Sequence, residues 1–115
     1  MSELTTISEL IDQYSSHGWV VRRALLSSAS IKALGDSLAA LYPDLEISES
    51  VHEALWFSRR SHPDREAWEL RRLSGSPFAL VTNLEDALDE SDREGLLSGT
   101  FQRMFDGSHP EPISH

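Results

Sequence analysis

The sequence contains no cysteine. That excludes disulfides, thiolate nucleophiles and cysteine-type zinc sites together, and it fits a reducing compartment. No apolar run approaches the roughly 18 residues that a bilayer-spanning helix needs. Glycine and proline are sparse, at six and five residues, and nowhere gather into a linker that would divide domains. Bases are outnumbered by acids, 10 against 19, for a net charge of −9. Such a surface repels phosphate backbones, which disfavours nucleic acid as a partner and accommodates a basic protein. There is no internal repeat and no phosphate-binding glycine loop. Ser74-Gly75-Ser76 lacks the flanking glycines of a nucleophile elbow. The start, Met1-Ser2-Glu3-Leu4-Thr5-Thr6, is polar and acidic, unlike a signal peptide, so the expected location is the cytoplasm.

What is present suits a packed core. The 115 residues are 39% hydrophobic and 25% charged, ordinary globular values. A chain of this length buries roughly two thirds of its unfolded surface and needs no covalent staple. One α+β domain is expected over residues 1–106, with a flexible tail over 107–115.

Leu4, Ile7, Leu10, Ile11 and Tyr14 form a helical stripe, predicting a first helix from Thr6 to Ser16. Gly18 is placed to end it in the left-handed conformation. Trp19 to Leu26 reads as a strand. Ser27 or Ser28 then caps a second helix with the stripe Ile31, Leu34, Leu38 and Leu41, stopped by Pro43. Residues 44–53 read as an extended segment. A three-stranded meander follows from Ala54 to Leu84, with turns at His62-Pro63-Asp64-Arg65 and at Ser74 to Ser76. The last helix is expected near Ser91, whose spacing to Glu94 suits a capping box. Gly95 and Gly99 would give it a flat side open to another backbone. The order is α-β-α-β-β-β-α: a four-stranded, largely antiparallel sheet with helices mainly on one face.

A hairpin centred on Pro63-Asp64 pairs Phe57 with Leu70 and Leu55 with Arg72. Leu55, Phe57, Trp68 and Leu70 then share the core face. Trp56, Ser58, Arg60, Glu69, Arg71, Ala79, Val81 and Asn83 take the other. A slip of one residue would exchange the faces.

The five histidines, His17, His52, His62, His109 and His115, show no metal-ligand spacing. Ser61, His62 and Asp64 crowd into one turn, where a catalytic triad cannot assemble. Neither a catalytic residue nor a cofactor is expected, and the sequence favours a non-enzyme over an enzyme without deciding between them. Six of the nine arginines form doublets in predicted strands: Arg22-Arg23, Arg59-Arg60 and Arg71-Arg72. Alternation sends one of each doublet to each face. Trp and Arg are enriched at binding hot spots.

The leading expectation is therefore a protein-interaction module, binding a partner or itself as a homodimer through an exposed sheet face carrying Trp56, Arg60, Arg71 and Val81. The alternative is an anionic small-ligand binder or enzyme, with Arg23, Arg59 and Arg72 converging in a pocket on the helix-covered face. A third reading uses the acids from Glu85 to Glu94 to dock a basic protein; the same acids also suit a helix start. The serines at 27, 28 and 30 suit a helix cap, or an anion at a helix N-terminus. In size and composition the chain is similar to secretion chaperones and toxin-immunity proteins.

Overall fold

The computed structural model describes residues 3–73 and 78–105. The expected turn at Ser74 to Ser76 and the tail from residue 107 lie outside the described residues. In chain order the elements are α1 (Glu3–Ser15), β1 (Val20–Leu26), α2 (Ser28–Leu41), β2 (Glu46–Glu49), β3 (Ala54–His62), β4 (Arg65–Arg72), β5 (Ala79–Glu85) and α3 (Glu90–Phe105). The mixed α+β class stands, but the sheet has five strands, ordered β2-β1-β3-β4-β5. The extra strand comes from the segment read only as extended. β2 runs parallel to β1, pairing Ala24 with Ile47, and α2 is the crossover between them.

Local signals act as expected at several ends. Gly18 holds φ at 87°, a left-handed value at which L side chains are strained. Ser27 caps α2, its side chain accepting from the Ser30 N–H at 3.2 Å. The Ser27 N–H in turn donates to Glu53 Oε2 at 2.9 Å. The anion at this helix start is thus the chain's own carboxylate. Two ends differ. α1 begins at Glu3, before Thr6. α3 is capped by Asp89, whose Oδ1 accepts from the Asp92 N–H at 2.8 Å, and Glu94 is freed from capping.

The sheet carries a hydrophobic layer on each face. Ile7 and Ile11 of α1 and Leu34 and Leu38 of α2 pack on Ala24, Leu26, Leu55 and Phe57. Leu97 and Met104 of α3 pack on Ala54, Trp56, Trp68, Leu70 and Leu84. Fully burying each large side chain stabilises by about 1.5–3 kcal/mol. The helices therefore lie on both faces, contrary to the one-face expectation. They are also staggered. α1 and α2 lie against β1 and β2, and α3 against β4 and β5. Each face of the sheet keeps one half without a helix among the described residues.

Two bulges decide which side chains point where. Near the β3–β4 turn, His62 pairs with Arg65 but Arg60 pairs with Glu66, so Ser61 is an extra residue. The register beyond it slips by one from the simple hairpin. Trp56 faces Leu70, Phe57 faces Glu69 and Leu55 faces Arg71. Trp68 and Leu70 consequently share a face with Trp56, not with Phe57. In β1, Val21 pairs with Phe57 and Arg23 with Trp56, leaving Arg22 as the extra residue. No described atom crowds the positions a Cβ would occupy at Gly95 and Gly99, so the close backbone approach expected there is not made.

Candidate functional site

The charged centre of the molecule is built around Trp68, which is 3% exposed. Its ring meets the Trp56 ring edge-on at 6.0 Å between centroids. The guanidinium carbons of Arg22, Arg23 and Arg93 lie 4.9, 5.7 and 5.8 Å from its centre. The bulge at Arg22 explains how neighbours in one strand reach the same indole, where strict alternation would have separated them. The Trp68 Nε1–H donates to Glu66 at 3.1 Å. Carboxylates surround the arginines. Arg23 makes a two-pronged bond to Glu94 at 3.1 and 2.5 Å, and Arg93 lies 3.6 Å from Glu66. The Arg23 bond draws the Glu94 carboxyl below its ordinary range. The pair is partly solvated, with the Arg23 and Glu94 side chains 22% and 47% exposed, and its two-pronged geometry is what sets it apart from an ordinary surface pair.

The sequence-predicted interaction patch does not assemble. Trp56 is 2% exposed and lies beneath α3, so it is core and not a contact residue. Arg60 stays on the α3 side, bound to Asp86 at 2.8 Å and 3.7 Å from Glu66. Arg71 and Val81 belong to the opposite side of the sheet, where Val81 is 51% exposed and Arg71 is half-buried. The cause is the Ser61 bulge together with α3, which roofs the side expected to be open.

The expected anion pocket does not assemble either. Arg23 is committed to Glu94 and Glu46. Arg59 lies 4.7 Å over the Trp19 ring and donates to the His17 carbonyl at 2.9 Å, beside α1. Arg72 lies 5.9 Å over the Phe105 ring of α3. These arginines are spread over both faces and line three different clefts.

What does come together is a combination not expected from the sequence. Arg22, Arg59 and Arg60 line one open cleft of about 470 Å³, at the end of the sheet where β1 begins. Gly18, Val20 and Ser58 contribute to its walls, as do Asp44 and Glu66. Arg22 Nη1 donates to the Ser58 hydroxyl at 3.1 Å, and Ser58 is 3% exposed. The Arg22-Arg23 and Arg59-Arg60 doublets were the available signal; the bulge that selects Arg22 was not legible.

Elsewhere polar groups serve the fold. Burial raises the Glu53 carboxyl, but hydrogen bonds from Ser30 and Ser27 outweigh it and leave the group below its ordinary range. The Tyr14 hydroxyl donates a very short bond to Glu69, and its ring stacks on Phe57 at 3.9 Å. Burial first, and that bond second, push its pKa up to about 12. Among the described residues no three His, Asp or Glu side chains gather to hold a metal ion, and no helix is long and apolar enough to cross a membrane. Of the acids after Glu85, Asp86 pairs with Arg60, Asp89 caps α3 and Glu94 pairs with Arg23.

Comparison with protein-family models, with curated proteins and with solved structures gave no match.

Proposed function

We propose that the chain is a non-enzymatic protein-interaction module that extends its sheet across the outer edge of β5, the occupant being a second copy of itself. The observation that carries this reading is the state of that edge. β5 is a seven-residue border strand with no described neighbour strand on its outer side. α3 packs on one of its faces, while Val81 and the neighbouring Phe78 remain 51% and 42% exposed. Of the expected patch, Val81 belongs to this uncovered half-face; Arg71, on the same side of the sheet, lies against α1 beside Tyr14 and Gln13, and Trp56 and Arg60 lie on the other side.

Soluble proteins blunt border strands with charge, proline or short length. The opposite border is blunted: β2 has four residues, with Glu46 and Glu49 at its ends. β5 carries one charge, Glu85, at its last position. Charge also favours a symmetric occupant. An antiparallel pairing about Thr82 sets Glu85 and Asp86 of each copy beside Ala79 and Phe78 of the other. The acids are kept apart, which matters in a chain of net charge −9.

Sedimentation velocity between about 1 and 100 µM tests this over the range where modest interfaces dissociate. A monomer–dimer equilibrium is expected, and Val81→Lys abolishes it without changing the circular dichroism spectrum or melting temperature. A monomer throughout, or a dimer indifferent to Val81→Lys, refutes the proposal.

A further inference from the structure

The cleft at the start of β1 carries more arginine than carboxylate, with Arg22, Arg59 and Arg60 against Asp44 and Glu66. In a chain with 19 acids and 10 bases, guanidinium groups have carboxylates in excess. Arg22 and Arg59 nevertheless form no ion pair among the described residues, while Arg60, in the same cleft, pairs with Asp86 and Glu66. Both unpaired groups are already positioned. Arg22 lies over Trp68 and bonds to Ser58; Arg59 lies over Trp19 and bonds to the His17 carbonyl. A guanidinium held over an indole face has less rotamer freedom to lose on binding.

The walls complete the case. Ser58 accepts from Arg22, and its own hydroxyl proton has no acceptor among the described residues. The Glu66 carboxylate is occupied by Arg93, Arg60 and the Trp68 N–H. Asp44 is the remaining acid of the cleft and is exposed. Two free positive charges thus face one negative charge. A volume of about 470 Å³ is in the range of small-molecule sites.

We infer that this cleft binds the oxyanion head group, carboxylate or phosphate, of a small molecule, with Arg22 and Arg59 as its charged donors and Ser58 as a neutral one. Guanidinium groups recognise both head groups through paired N–H donors. The excess of one positive charge suits a monoanion better than a dianion. The inference stands apart from the β5 edge, which lies at the far border of the sheet from β2 and contributes nothing to this cleft.

The test is a titration of the isotopically labelled protein with butyrate and, separately, with inorganic phosphate, at constant ionic strength, followed by NMR of the backbone amides and arginine Nε–H groups. Saturable shifts centred on Gly18, Val20, Ser58 and Arg59 are expected. Tighter butyrate binding assigns the head group as carboxylate, and tighter phosphate binding as phosphate. Each of Arg22→Ala and Arg59→Ala weakens binding about tenfold, the loss of one charge-assisted bond. Asp44→Asn strengthens it, and Arg103→Ala on α3 leaves it unchanged. Shifts that stay linear with both anions overturn the inference. So does equal binding by the Arg22→Ala/Arg59→Ala double variant with its spectrum otherwise folded.

Discussion

Replacing Trp68 by leucine and by phenylalanine separates two contributions that the structure places on one residue. The ring is almost wholly buried and fills the layer between the sheet and α3. Complete truncation to alanine costs about 3–5 kcal/mol, the usual figure for a large buried aromatic. Leucine and phenylalanine each retain much of that burial, and both lose the Nε1–H bond to Glu66, worth about 1.5–3 kcal/mol with a charged acceptor. They differ in the face they offer the three guanidinium groups of Arg22, Arg23 and Arg93. Phenylalanine keeps a quadrupole beneath them; leucine does not. With cation–π contacts worth about 0.5–1 kcal/mol each where partly solvated, Trp68→Leu should be less stable than Trp68→Phe by about 1–2 kcal/mol. Urea unfolding followed by far-ultraviolet circular dichroism measures the gap, since it reports backbone loss and not indole emission. The slopes of the two transitions must agree for the comparison to hold. Variants within about 0.5 kcal/mol of each other would refute the idea that the indole face holds the arginines, leaving Trp68 as apolar filling.

Other expectations follow from local geometry. Gly95→Ala and Gly99→Ala should each stabilise the protein by about 0.5–1 kcal/mol, because the added methyl meets no described atom and the backbone is already helical; a lowered melting temperature in either would show that something approaches that side of α3. Tyr14 titrates near 12 in the folded chain against 10.0 for the free side chain. Its proton is held more tightly in the native state, so its stabilisation is complete below pH 10 and lost as pH rises towards 12. Stability curves of the native chain and Tyr14→Phe should therefore converge across that window, and parallel curves would contradict the assignment.

The helices were legible because their signals are local. The stripe of Ile31, Leu34 and Leu38, the Ser27 cap and Pro43 define α2 without reference to any other segment. Gly18 likewise marks the end of α1. The Pro63-Asp64 turn was equally plain, since turn residues act on their own backbone. The faces of the strands were not legible, because a strand has a face only relative to a partner. Ser61 and Arg22 carry no mark of a bulge, yet each adds one residue to one side of a pairing. The first moved Trp56 from an expected open surface into contact with Trp68 and α3. The second brought Arg22 beside Arg23 over the same ring.

By itself, then, the sequence determined the class of fold, the positions of its helices and the presence of arginine doublets in strands, all of which follow from periodicity over a few residues. Only the tertiary structure decided that β2 joins the sheet in parallel, that α3 takes the second face, and which arginines share a cleft. Those outcomes depend on pairing register and on competition among distant apolar surfaces for the same sheet. In a pleat of period two, a displacement of one residue exchanges inside for outside.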